Sequence, residues 1–233
     1  MFQHFILTHF NTKFKWSKKG VGKSNTKQLP RNWMDRRLKL FESYCYPSIV
    51  KQTNQNFEWL VLFDEERTDK STIKKFKRIT PIFLSDYPYL KKEHFIKAVS
   101  ERIKPKTKWL ITSRLDNDDS YNQDYIKEVQ LRFDKKEKFI NFVNGAIYDI
   151  IKKDLRLFVY RSPNPFLSTI EPIKKIKTCF GEHHPRMGKI FKSVDQVEIP
   201  KLMWLQIIHN ENLGNTLRGK KIDYNLKEFN ING

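Results

Sequence analysis

The stretch WLITSRLDNDD, residues 109–119, runs from apolar, β-forming residues straight into three carboxylates: Asp116, Asp118 and Asp119. A short apolar run ending in Asp and Asn reads as a strand entering a turn, because these side chains bond their own backbone. Three carboxylates so close together repel one another. A hard divalent cation, Mn²⁺ or Mg²⁺, relieves that repulsion and leaves coordination positions open for substrate phosphates. A solvated Asp/Asn turn after an edge strand is the plainer alternative, and the segment alone leaves both open.

Working outward, the preceding residues alternate strand-like and helix-like patterns. Phe2 to Thr8 reads as a strand, Asn32 to about Val50 as an amphipathic helix that Pro47 kinks or ends, and Glu58 to Phe63 as a second strand closed by Asp64. A short helix near Ser71 to Lys77, a strand near Ile79 to Leu84, a helix over Lys92 to Arg102 and the strand Trp109 to Thr112 continue the series. Such alternation predicts an α/β fold with right-handed crossovers and a mostly parallel central sheet flanked by helices. Ligand chemistry then belongs at the carboxyl ends of the strands, where Asp64 and the Asp116 cluster fall.

Beyond a helix-like segment, Tyr121 to Phe133, the pattern changes to extended runs at Phe139–Val143, Ala146–Ile151, Arg156–Tyr160 and Leu202–His209, predicting a mixed β second half. SPNPF (Ser162–Phe166) and GEHHPRMG (Gly181–Gly188) read as loops. With no internal repeat and no long linker, the chain reads as one domain over 1–233. Its parts are a first half, 1–120, a second half, 121–215, and a loosely attached tail, 216–233.

Composition narrows the class. Hydrophobic residues make up 39% of the 233, and aromatics 14%, which excludes a disordered polymer. Lys and Arg number 45 against 26 Asp and Glu, a net charge of +19. That excess suits nucleic acid, a phosphorylated small molecule or peripheral contact with an anionic membrane, and it equally suits A/T-rich coding drift in a Lys-, Asn- and Ile-rich chain. No basic recognition helix or RNA-binding aromatic motif supports nucleic acid, although a metal-dependent nuclease is the rival that charge and acidic cluster suggest together. Two cysteines, Cys45 and Cys179, lack any metal-ligand spacing and fit a reducing, cytoplasmic setting. There is no signal-peptide pattern at the N-terminus and no apolar run of about 20 residues, so a soluble protein is expected.

Two further motifs call for a reading, and the first fails on its context. GVGKS (Gly20–Ser24) ends like a phosphate-binding loop, but Ser17 stands where the first glycine is needed and NTKQLP follows instead of an apolar helix. His209, after the strand-like MWLQIIH, can turn toward a metal or be an ordinary hydrogen-bonded core histidine; His183 and His184 are weaker candidates.

FILTHFN (5–11), WMDRRLKLFESYCYPSIVKQTNQNFEWLVLFDEE (33–66), WLITSRLDNDDS (109–120) and MWLQIIHNENLGN (203–215), with a looser match at SPNPFLSTIE, together resemble the bacterial putative rhamnosyl transferases, glycosyltransferases of the GT-A type. The resemblance implies a GT-A-like, Rossmann-like domain that binds a nucleoside-diphosphate sugar and transfers the sugar to a glycan or glycolipid acceptor. It places a divalent metal on Asp116 and Asp118, with His209 completing the shell and Asp119 binding the metal, contacting sugar hydroxyls or only orienting its neighbours. It also implies nucleoside contacts from Thr8, Asn11 and Asp64. Arg37 and Arg114 then pair with phosphate or with the carboxylates, or form structural salt bridges. An inverting transfer needs a carboxylate base near the acceptor hydroxyl, and Glu171, then Glu182, are the candidates. His9 and the Lys-rich insert from Thr12 to Lys27 depart from the family pattern beside the expected nucleotide site. A noncatalytic sugar-binding domain is a third reading, against which Asp116, Asp118 and His209 all weigh.

Overall fold

The computed structural model describes residues 1–13, 32–210, 212 and 216–231. GVGKS and most of the Lys-rich insert lie outside the described residues.

Four parallel strands form one half of a seven-stranded sheet: β1 (Phe2–His9), β2 (Glu58–Asp64), β3 (Ile79–Leu84) and β4 (Trp109–Arg114). Their near-continuous apolar sequences are explained by burial on both faces. In β1, Ile6 joins Trp59, Val61 and Phe63 on one face, while Phe5 and Leu7 join Leu60 and Leu62 on the other. The first face is covered by α1 (Trp33–Leu40), a π-helical turn (Phe41–Cys45) and α2 (Tyr46–Val50), the second by α4 (Lys92–Ser100). A short α3 (Lys70–Ile73) precedes β3.

Pro47 does not end its helix. Tyr46 N–H donates to the Phe41 carbonyl five residues back, and this wider turn carries the chain past the proline, which needs no amide partner.

β5 (Ser120–Tyr121) follows the acidic turn, and α5 (Tyr125–Leu131) occupies only the centre of the predicted helical segment. Asn122 interrupts that segment: its Oδ1 accepts the Asp124 N–H at 3.0 Å and its Nδ2 donates to the Leu202 carbonyl at 3.0 Å. The remaining strands are β6 (Lys138–Phe142), β7 (Asn144–Asp149), β8 (Asp154–Val159), β9 (Ser168–Pro172), β10 (Val194–Val197), β11 (Trp204–Ile208) and β12 (Lys220–Lys221). The large sheet has the order β10-β6-β9-β4-β1-β2-β3 and the small one β12-β8-β7-β11-β5. β9 lies antiparallel between β4 and β6, so the large sheet is mixed.

β9 was not expected, because its STIEP sequence looks polar. Burial is satisfied pairwise across the sheet: Thr112 to Thr169 at 2.7 Å and Ser113 to Ser168 at 2.6 Å. The expected loose tail is likewise corrected. Leu226, Phe229 and Ile231 are buried against the small sheet, and Gln123 N–H donates to the Glu228 carbonyl at 2.7 Å. Trp204 joins the sheets, stacked on Phe166 and donating Nε1–H to the Phe142 carbonyl at 2.8 Å. A Cβ at Gly145 would stand 2.1 Å from that indole, so glycine is the residue β7 requires there. Among the described residues no helix is long and apolar enough to cross a membrane.

Candidate functional site

The acidic turn leaves the carboxyl end of β4 and is tied to the end of β1. Leu115 N–H donates to the Leu7 carbonyl at 3.2 Å, and Asn117 Nδ2 reaches the His9 and Phe10 carbonyls at 3.2 and 2.7 Å. Asn117 therefore shapes the turn and frees its neighbours to point elsewhere. Asp119 points into the protein, where its Oδ1 accepts the Ile207 N–H of β11 at 2.8 Å. Burial, then the Asp118 and Asp116 charges, push the Asp119 carboxyl well above the usual range.

Asp118 meets two partners from distant segments. Its Oδ2 stands 2.6 Å from Arg37 Nη1, on α1, and 2.9 Å from His209 Nε2, just past β11. Arg37 Nη1 is also 3.2 Å from His209 Nε2. One ring nitrogen cannot donate to Asp118 and accept from Arg37 at once, so the tautomer decides which contact is a hydrogen bond. Burial by itself raises the Asp118 carboxyl; Arg37 and His209 outweigh it and hold the group below the ordinary value.

Asp116 is the more open carboxylate, its side chain 30% exposed. Arg114 Nη2 stands 3.4 Å away and His9 Nε2 3.9 Å away. The Arg114 guanidinium lies over the Phe180 ring at 4.8 Å, and Phe180 meets His9 edge-on at 6.1 Å. Residues 180–184 are thereby brought to the turn, carrying Glu182, His183 and His184. Glu182 accepts the His183 N–H at 2.8 Å and pairs with Arg186 at 2.9 Å; the backbone bond is the main reason its carboxyl sits lower than usual. His184 is lowered to about 4 by burial and then by Arg114, and its Nδ1 is 2.7 Å from the Pro163 carbonyl.

Other predicted site residues are placed apart or are fully engaged. Glu171 pairs in register with Leu110, near the start of β4, four residues before Arg114 and thus roughly 13 Å of strand from the turn. It is wholly buried, and its two oxygens accept the Lys177 and Thr178 amides at 2.6 and 2.9 Å. This position sets it apart from the acidic turn, with both oxygens engaged. Thr8 is buried in the helix-covered core, its hydroxyl accepting from Trp59 Nε1 at 3.0 Å, so it does not face a nucleotide. Asn11 and Asp64 do lie at strand ends, but they are knit together: Asn11 Oδ1 accepts the Asp64 N–H at 2.9 Å and its Nδ2 donates to Thr68 Oγ1 at 2.9 Å. Asp64 Oδ2 accepts the Tyr87 hydroxyl at 3.1 Å and stands 3.6 Å from Lys13 Nζ.

Asn117, Phe180 and His9 are the neighbours that sequence reasoning did not assign to the site. Asn117 had a signal, an Asx residue inside a turn; Phe180 had none, because cross-chain packing alone brings it to Arg114.

Among the described residues no three His, Cys, Asp or Glu side chains are grouped to hold a metal ion. Two donors nevertheless suit one. The 2.9 Å between Asp118 Oδ2 and His209 Nε2 matches the roughly 3.0 Å between adjacent ligands on an octahedral ion with bonds near 2.1 Å. Arg37 Nη1 presently bridges those same two atoms.

The sequence model of the family described as "Putative rhamnosyl transferase" matches residues 7–221. The chain belongs to this family. No curated protein matches it. Among solved structures, TarS from S. aureus is similar over 89% of this chain and 36% of its own, with 11% identity and a TM-score of 0.46. A nucleotide-diphospho-sugar transferase from Desulfovibrio desulfuricans, itself described as putative, is similar over 89% of this chain and 82% of its own, with 11% identity and a TM-score of 0.41. The chain thus spans about a third of TarS. The family match extends from the end of β1 to β12, so it takes in all the residues gathered at the turn.

Proposed function

We propose that this member of the rhamnosyl transferase family is a glycosyltransferase that takes a sugar, rhamnose being the one the family description names, from a nucleoside diphosphate. The acceptor is a glycan or glycolipid. One observation carries the reading: two arginines, Arg37 and Arg114, flank the acidic turn, and each keeps a buried Nε–H with no hydrogen-bond partner among the described residues. Unsatisfied guanidinium donors beside carboxylates suit a diphosphate, whose oxygens accept them with charge assistance.

In this reading Asp118 and His209 would hold a Mn²⁺ or Mg²⁺ ion, with the more exposed Asp116 available as a further ligand. When bound, the ion neutralises charge that develops on the leaving diphosphate. Arg114, steadied by Phe180, binds and orients that diphosphate from the other flank. Asp119 fixes the turn to β11 and so sets the direction of Asp118. Glu182 becomes the candidate base, since Phe180 brings its loop to the turn; taking the acceptor proton opposite the leaving group would make the transfer inverting. The basic surface gives a route to an anionic, membrane-borne acceptor.

The test is calorimetric titration of UDP, GDP, dTDP and CMP, each with Mn²⁺ and with a chelator. Metal-dependent binding of one nucleotide supports the reading and identifies the donor class. No nucleotide binding, beside tight salt-sensitive binding of DNA or RNA, would replace it with a nucleic-acid function.

A further inference from the structure

We propose that Arg37 is a built-in counter-cation of the Asp118–His209 pair: its guanidinium occupies the cation position while the donor is absent and moves onto the diphosphate when a divalent ion enters. The inference deepens the proposed function and rests on its metal site.

Three observations combine. First, Nη1 of Arg37 contacts both candidate donor atoms, at 2.6 Å from Asp118 Oδ2 and 3.2 Å from His209 Nε2, and those atoms are 2.9 Å apart. A carboxylate oxygen and a ring nitrogen this close together are donors a metal ion also uses, although Asn212 Nδ2 stands as near to Nε2 as Arg37 does, at 3.2 Å. With Nε2 unprotonated, the guanidinium and a divalent ion compete for the same two lone pairs. Second, the contact is not saturated on the arginine's side, because its buried Nε–H has no partner among the described residues. A phosphate oxygen satisfies that donor, whereas Asp118 leaves it unmet. Third, Arg37 stands on α1 with its guanidinium carbon 5.3 Å from the Trp33 ring. That contact belongs to the position Arg37 holds now and steadies the guanidinium beside Asp118, so it accounts for the resting half of the exchange.

Such an exchange makes metal and diphosphate binding help one another. The ion frees Arg37 for the phosphates, and the phosphates draw Arg37 from the ion's ligands; by linkage each raises the other's affinity equally. Arg37 is then a positioning residue in the empty site and a diphosphate ligand in the loaded one. It also keeps Asp118 and His209 at ligand spacing before either partner arrives.

The experiment measures Mn²⁺ binding by electron paramagnetic resonance and calorimetry, without nucleotide, for the unaltered protein, Arg37→Met, Asp118→Asn and the double variant. Methionine keeps much of the stem beside Trp33 and removes the competing charge; circular dichroism and thermal unfolding check that each variant folds. Arg37→Met is expected to bind Mn²⁺ about tenfold more tightly than the unaltered protein, and addition of Asp118→Asn should abolish the gain. The help that UDP or another bound nucleotide gives to Mn²⁺ should shrink in Arg37→Met. Equal or weaker Mn²⁺ binding in Arg37→Met, with Asp118→Asn still abolishing it, overturns the exchange and leaves the metal site standing. Absence of Mn²⁺ binding from every protein, with and without nucleotide, removes the metal site and the exchange with it.

Discussion

Asp118 and Glu171 are both buried carboxylates on the large sheet or its margin, but they belong to opposite ends of it and are satisfied by opposite means. Glu171 is held by two backbone amides, from Lys177 and Thr178, which cannot leave without unfolding the loop. Asp118 is held by two side chains, from Arg37 and His209, which can turn away when something better arrives. Burial dominates at Glu171 and raises its carboxyl to about 7, while at Asp118 the contacts with Arg37 and His209 prevail and hold it low. A raised carboxyl is commonly read as a sign of catalysis. Here the carboxylate with the raised value is held by backbone amides away from the turn, and the functional candidate is the one with exchangeable partners.

Substitutions can break that contrast. The largest effect is expected from Asp118→Asn, which should lower transfer by at least about 100-fold, the scale of losing one electrostatic stabiliser of the leaving group. Steady-state kinetics alongside metal-dependent nucleotide binding checks it; activity retained within a few-fold would place the site elsewhere. Arg114→Ala should follow, weakening nucleoside-diphosphate binding by roughly 10- to 100-fold through lost charge-assisted bonds, as titration would show. A nucleotide affinity that does not change would confine Arg114 to its contacts with Asp116 and Phe180.

Glu171→Gln should act on stability, costing about 1–3 kcal/mol at pH 5–6 because an amide nitrogen would face one of the two backbone donors, while the folded enzyme keeps its turnover. A sharp loss of kcat with unaltered stability would restore Glu171 as the base. The same carboxyl sets a pH dependence. Its folded value, about 7, lies above its usual 4.5, so its contribution to stability is fully present below pH 4.5 and is lost as pH rises through 7. The slope across that window amounts to about 3 kcal/mol and should be absent from Glu171→Gln, as urea unfolding at a series of pH values would reveal. The smallest effect belongs to Thr8→Val, which removes the acceptor for Trp59 Nε1 and should cost about 1 kcal/mol without altering nucleotide affinity.

Much of the fold was legible from short-range pattern. The strand Ile79–Leu84 appears with the predicted bounds and Glu58–Phe63 gains one residue, because strands buried on both faces leave an unbroken apolar run. β9 was hidden because its buried Ser, Thr and Glu are paired with partners more than fifty residues away or folded under a following loop. The family resemblance read from four segments agrees with the match over residues 7–221.

The sequence by itself determined the alternation of strands and helices and put an acidic turn at a strand's carboxyl end, since both depend on neighbours within a few residues. Only the tertiary structure decided which carboxylate meets which side chain. Arg37 reaches Asp118 across 81 positions and His209 across 91, whereas Glu171, nearer in sequence than either, is carried away by the antiparallel return of β9. Contacts of that range are set by sheet order and packing, which no local pattern encodes.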